Sequence, residues 1–183
     1  IWLGTYFGGV NYFNPEYEIY TRYSYSSNEK KGLSNPVVGR TIEDKNGNLW
    51  IGTEGGGLNY YNRRTREFKW YRPQEGRNSI SHNNVKALYY DADKEIIWIG
   101  THLGGLNKLD IRSGHFTHYR MEGNNPQSLP SDIIRDITPY KDLLIIATQN
   151  GVCLFNPANG QCRQLFKDSK EGKSIKMVAD VVF

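Results

Sequence analysis

No apolar run in this chain approaches the roughly 18 residues that a membrane-crossing helix needs, so no such helix is predicted. Short patterns of common catalytic machinery are missing too. There is no HExxH, GxSxG or paired CxxC, and the acids Asp44 and Asp91 recur at turns, where capping of backbone amides accounts for them. A one-sided charge is nearly absent: 23 Lys and Arg stand against 19 Asp and Glu, a formal net charge of +4. The basic residues do not collect into the stripe that phosphate contacts demand. The one dense group, Arg63, Arg64 and Arg66, falls in a hairpin turn, where charges are ordinarily solvated, so no nucleic-acid partner is expected. No metal ligand set or cofactor motif is read either.

Cysteine is scarce. Cys153 and Cys162 flank the turn NPAN, and a loop pairing Phe155 with Gly160 would set them opposite each other on adjacent strands. That is close enough for a cross-strand disulfide in an oxidising compartment such as a periplasm. The alternative is two buried thiols filling the space of larger side chains, since Cys162 stands where Phe68 and Phe116 stand in earlier copies of a repeat.

Glycine (19 residues) and aromatics (13%) are plentiful, as in turn-rich all-β proteins. Their arrangement is periodic. IWLGTYFGGVNYFN from Ile1 returns as LWIGTEGGGLNYYN from Leu49, as IWIGTHLGGLNKLD from Ile97 and, worn, as LIIATQNGVCLFN from Leu144. Gly4, Gly52 and Gly100 are 48 residues apart, and Ala147 follows 47 residues after Gly100. Each phrase leads into a hairpin turn and an aromatic strand, then a polar loop, then an apolar strand that returns to the Trp strand. Four short strands in a period of about 40 to 50 residues are the mark of a β-propeller blade. A glycine-rich phosphate cradle is excluded, because here the glycines open a strand and not a helix.

The repeated residue types follow from blade packing. Both faces of a blade are covered by neighbours, so its middle strands need bulky apolar groups. Trp2, Trp50 and Trp98 are therefore assigned to the core, each able to bury about 200 Å². The glycine after each apolar run, and the pairs Gly8/Gly9, Gly56/Gly57 and Gly104/Gly105, are expected to permit tight turning and close backbone approach. Asn11, Asn59 and Asn107 are expected to bond a loop backbone.

The stretch NSISHNNVKALYYDADKEIIWIGTHLGGLNKLD, Asn78 to Asp110, resembles the repeat of the two-component regulator propeller family. The likeness runs through nearly the whole chain in four copies, departing in the fourth copy and in the extra residue within DADKEIIW. It implies the periplasmic sensor region of a Bacteroides-type hybrid two-component system: two propellers of about seven blades each, an immunoglobulin-like domain, a membrane helix, a cytoplasmic histidine kinase and a DNA-binding response regulator. Such sensors recognise oligosaccharides and switch on glycan-utilisation genes. By this likeness the segment is not itself an enzyme, needs no cofactor, and has as partners an oligosaccharide, the remaining blades, the downstream sensor domains and a candidate homodimer mate.

The expected organisation is a partial blade over 1–25, blades over 37–72, 84–120 and 132–166, and an inner strand over 175–183 that belongs to the next blade or closes the first. An excerpt of a larger ring is preferred to a closed four-bladed ring. A ligand is expected at the end bearing the second-to-third-strand loops and the connecting loops. Tyr6, Glu54, His102 and Gln149 are the candidates from the first set, with Arg77 from a connecting loop and Arg40 and Arg135 from inner strands. These vary while the frame repeats, and they supply the aromatic faces and cationic forks that sugars and sugar acids need. Two other functions stay open: a polysaccharide lyase or glycosidase, given Glu54 and His102 at equivalent positions, and a structural interaction ring. Trp70, outside the repeated phrase, is expected either to cap the blade edge or to join a dimer contact.

Overall fold

The computed structural model describes residues 1–5, 7–14, 16 and 19–165. The described residues are all-β apart from one 3₁₀ turn, Glu29–Lys31, and the chain forms two compact units, Ile1–Val85 and Lys86–Phe183. The first unit holds a sheet of β1 (Trp2–Thr5), β2 (Gly9–Asn14) and β3 (Ile19–Tyr23). Its second sheet is β4 (Val38–Glu43), β5 (Leu49–Thr53), β6 (Gly57–Asn62) and β7 (Glu67–Tyr71). The second unit holds β8 (Val85–Asp91), β9 (Ile96–Thr101), β10 (Leu106–Asp110) and β11 (His115–Tyr119), then β12 (Ile134–Tyr140), β13 (Leu143–Thr148), β14 (Gly151–Asn156) and β15 (Gln161–Gln164). Every sheet is an antiparallel meander in chain order, the blade pattern of a β-propeller. The stretch 175–183, expected to be an inner strand, lies outside the described residues.

Within each unit two sheets pack face to face through aromatics. In the first, Tyr23 of β3 meets Tyr61 of β6 at a centroid distance of 4.7 Å and Phe68 of β7 at 6.0 Å, over a core of Val10, Leu33, Leu49 and Ile51. In the second, Trp98 of β9 and Tyr119 of β11 stand edge-on to Phe155 of β14 at 5.4 and 4.9 Å. Such pairs add about 0.5–1.5 kcal/mol each beyond their burial. Trp50 and Trp98 are both at most 2% exposed. Trp2 lies on β1, and its side chain is outside the description.

The single glycine of the phrase sits mid-strand, not in a turn. A Cβ on Gly52 would lie 2.6 Å from Val85 Cγ1, and one on Gly100 would lie 2.5 Å from Ile134 Cγ2; at Gly4 the gap to Val38 Cγ1 is 3.1 Å. Val38 and Ile134 open inner strands of their own units, so at Gly4 and Gly100 the missing side chain is the space into which that strand packs. The second glycine of each pair does turn the chain: Gly9, Gly57 and Gly105 have φ of +75°, +80° and +71°, with the carbonyl of Tyr23, Tyr71 or Tyr119 only 2.0–2.3 Å from where a Cβ would stand. The turn is closed by the repeated Thr, whose Oγ1 donates to the glycine carbonyl at 2.9 Å from Thr53, 2.9 Å from Thr101 and 2.8 Å from Thr148.

Asn59 is fully buried and accepts from the Ser34 amide at 2.8 Å, pinning the connecting segment. In the fourth sheet the register puts Cys153 at this position, and Pro130 stands where Ser34 stands, four residues before its inner strand's first residue. Proline has no amide proton to give, so an Asn there would lack its donor. The expected pairing of Phe155 with Gly160 is corrected: Phe155 pairs with Cys162 and Cys153 with Gln164. The four-residue turn sits one residue further along than expected, closed by Asn156 and Gln161, so the cysteines are diagonal neighbours and not directly opposed. Both thiols are free and buried. Trp70 caps the edge of its own sheet, its indole donating to the Gly32 carbonyl at 2.9 Å beneath the Arg72 guanidinium.

Gly100→Ala is expected to cost about 1–3 kcal/mol through overpacking, whereas Gly123→Ala, whose methyl would meet nothing within 4 Å, should cost almost nothing. Equal denaturation midpoints for the two variants would refute the packing role. Burial, together with hydrogen bonding to Tyr61, pushes the Tyr23 hydroxyl from 10.0 up to about 12. The folded chain then keeps a proton that the unfolded chain loses, so this stabilisation is full below about pH 10 and disappears as the pH rises to about 12. Stability measured across that window should fall less steeply in Tyr23→Phe; an unchanged slope would exclude Tyr23 as the source.

Candidate functional site

The loops between second and third strands and the segments entering the inner strands share one end of each unit. In the first unit Glu54 forms a bridge with Asn84, its amide donates to the Val37 carbonyl at 3.0 Å, and the Gly55 and Gly57 amides both donate to the Asn83 carbonyl. Glu54 is half-buried, and Arg40 and Arg77 are exposed. Arg77 reaches only Gln74 Oε1, at 3.2 Å, so it belongs to its own loop and is not gathered with Glu54 by any described contact. Arg40 lies within a register shift in β4 between Val38 and Thr41. Tyr6 lies outside the described residues.

The second unit brings three candidates onto neighbouring backbone. His102 bridges Ile133, and the Gln149 amide donates to the Ile133 carbonyl at 2.9 Å. Arg135, two residues further on, is itself the extra residue of a bulge in β12 between Ile134 and Asp136. Bulges re-aim side chains, and this one interrupts the alternation that would otherwise set the direction of Arg135. His102 Nδ1 and Arg135 Nε are both buried without a hydrogen-bond partner. Beside them Leu103, with φ of +82°, is 56% exposed, an unusual conformation for a branched side chain at a loop tip. Gln149 and Asn150 are exposed, and Asn150 Nδ2 donates to the Pro130 carbonyl at 3.4 Å.

Sequence reasoning passed over a cleft at the opposite end of the first unit. About 590 Å³ in volume, it is lined by Asn46 and Asn48 from the β4–β5 turn, Tyr60 and Asn62 of β6, and Arg63 and Arg64 from the β6–β7 turn. Asp44 organises it, accepting from the Asn46 and Asn48 amides at 2.9 and 3.0 Å and from the Trp50 indole at 3.3 Å. Asn48 Oδ1 in turn accepts from the Arg63 amide at 3.1 Å and ties the two turns together. Burial, and then the Asp44 charge, raises the Tyr60 hydroxyl above its ordinary value. The signal available beforehand was the placing of NGN and NRR in two turns that a meander brings to the same end. Arg63 and Arg64 are thus lining residues of a polar cleft and not only solvated turn charges. Among the described residues no group of three or more His, Cys, Asp or Glu could hold a metal, and no helix is long and apolar enough to cross a membrane.

Residues 32–55 and 79–102, which span β4–β5 and β8–β9, match the two-component regulator propeller family. No curated protein is significantly similar to the chain. Among solved structures, the extracellular domain assigned to a hybrid two-component system of B. thetaiotaomicron is 26% identical over 90% of this chain, with a TM-score of 0.76. A second extracellular domain from that organism, assigned in one structure to a one-component and in another to a hybrid two-component system, is 24% and 25% identical over 92% of the chain, with TM-scores of 0.73 and 0.70. The chain spans 23% of the first domain and 24% of the second. These relatives are extracellular domains of two-component or one-component systems, in line with the expectation of a segment that is not itself an enzyme. With its meandering sheets, the chain is a run of β-propeller blades in which two segments match the two-component regulator propeller family, and it is similar in fold to extracellular domains assigned to two-component systems of B. thetaiotaomicron.

Proposed function

We propose that this chain is part of the ligand-sensing propeller of a hybrid two-component system, held in the periplasm by a protein anchored in the inner membrane. Its loop end contributes to a site for an oligosaccharide, and occupancy is passed to a histidine kinase that controls glycan-utilisation genes. The remaining blades and the downstream sensor domains of the same protein complete the site, with a homodimer as the signalling assembly. The observation that carries this is the pair of unpaired buried polar atoms, His102 Nδ1 and Arg135 Nε, on segments joined through Ile133. A buried group without a partner costs about 1–3 kcal/mol, a cost that a ligand rich in hydroxyl or carboxylate oxygens removes on binding. A guanidinium and an imidazole suit a sugar acid better than a neutral sugar, because charge-assisted bonds are the stronger ones.

The cleft lined by Asn46, Asn48, Asn62 and Arg64 supports a second seat for the same class of ligand. The two seats give different mutational signatures. Calorimetry of the whole extracytoplasmic region against an oligosaccharide panel should find a ligand whose affinity drops about 10- to 100-fold in His102→Ala and Arg135→Ala and is unchanged in Arg64→Ala. Product analysis of the same mixtures should show no turnover. Loss of affinity in Arg64→Ala alone would move the site to the cleft, and a panel with no binder would overturn the saccharide proposal.

A further inference from the structure

We infer that Cys153 and Cys162 are joined as a disulfide in the exported protein, a covalent staple between the edge strand β15 and its neighbour β14. The inference rests on the proposed periplasmic location for its oxidant, and on this unit alone for its geometry.

The two Sγ atoms lie 2.9 Å apart, closer than free sulfurs sit at contact distance and within about 0.9 Å of a bonded pair. Diagonal partners on an antiparallel ladder are usually further apart than opposed ones, yet these two share one face and meet over it. Both are in the core shared with Phe155, Leu144 and Tyr119, at 0% and 4% exposure. The residues they displace explain why a bond is useful there. Phe68 in β7 and Phe116 in β11 hold the outer strands of the second and third sheets down by burial. β15 has only four residues, and Cys162 is its one buried side chain. A cysteine covers far less apolar area than a phenylalanine, so the fourth blade's edge strand is underanchored unless the sulfur is bonded.

Access favours Cys162 as the first to react. It lines a surface cleft of about 230 Å³ with Gln127, Leu154, Asn156, Gln161 and Arg163. The hydrogen bond to Cys162, and then burial, holds the Cys153 thiol far above its ordinary range. In the exchange, the Cys162 thiolate attacks the disulfide of a dithiol oxidase, forming a mixed disulfide and releasing one oxidase thiolate. Cys153, deprotonated, then attacks Cys162 Sγ and releases the second. Two protons and two electrons pass from the cysteine pair to the oxidase, which leaves as its dithiol.

Both cysteines fall in one tryptic peptide, Asp142 to Arg163. From the full-length protein exported to the periplasm, quenched in acid and alkylated after denaturation without reductant, this peptide should carry no label and be two hydrogens lighter than its reduced form. Reductant should lower the melting temperature of the protein by about 5–10 °C and leave that of the Cys153→Ala/Cys162→Ala variant unchanged. Two labels on the exported protein overturn the inference. A parallel sample, made in a reducing cytosol and treated with oxidised glutathione, locates the fault: bridging there alone rejects the assigned compartment, and no bridging in either sample rejects the pairing itself.

Discussion

A branched side chain pressed into the space left by a glycine without a Cβ is the contact on which both units depend. Gly4 with Val38 in the first unit and Gly100 with Ile134 in the second repeat it at the same point of the period. The contact fixes how near an inner strand comes to the sheet it packs on, and the larger groups then close around that spacing. Tyr23, Tyr61 and Phe68 do so in one unit, and Trp98, Tyr119 and Phe155 in the other. Close-packed interiors transmit such a constraint, because little free volume exists to absorb an added methyl.

Polar atoms inside the blades are handled with the same economy. The Thr53, Thr101 and Thr148 hydroxyls close their turns on a glycine carbonyl, and Asn59 reaches the connecting segment at the Ser34 amide. The fourth sheet drops the Asn at the place where Pro130 removes that amide, so no buried acceptor is left without its donor. The change reads as a matched pair of substitutions and not as decay of the repeat.

Because the frame is held by atoms inside the sheet, residues at the loop tips are released from structural duty. Glu54, His102 and Gln149 sit on equivalent turns with the same Thr-to-glycine closure beneath them, yet they differ in charge and shape. That separation of frame from tip lets one blade present an imidazole and another a carboxylate without loss of fold. The bulge at Arg135 does the same for an inner strand, where a side chain would otherwise be tied to the alternation of the pleat.

The antiparallel blade pattern, the strand order and the burial of Trp50 and Trp98 were legible beforehand, because period, alternation and turn chemistry are local properties repeated often enough to be read by comparing copies. The role of Gly52 and Gly100 was read only in part: their need for space was visible, but its occupant comes from more than 30 residues along the chain and only packing reveals it. The two-residue error in the β14–β15 register arose because the four-residue turn is placed one residue further along, a choice of turn conformation that NPANG does not settle by itself. Of the candidate site, the sequence marked the loop end by its variation. The joining of His102, Gln149 and Arg135 through Ile133, and the polar cleft of Asn46 and Arg64, were decided by tertiary structure alone. Hydrogen-bond partners and orphaned atoms belong to the space between segments, and no linear pattern records which segments will share it.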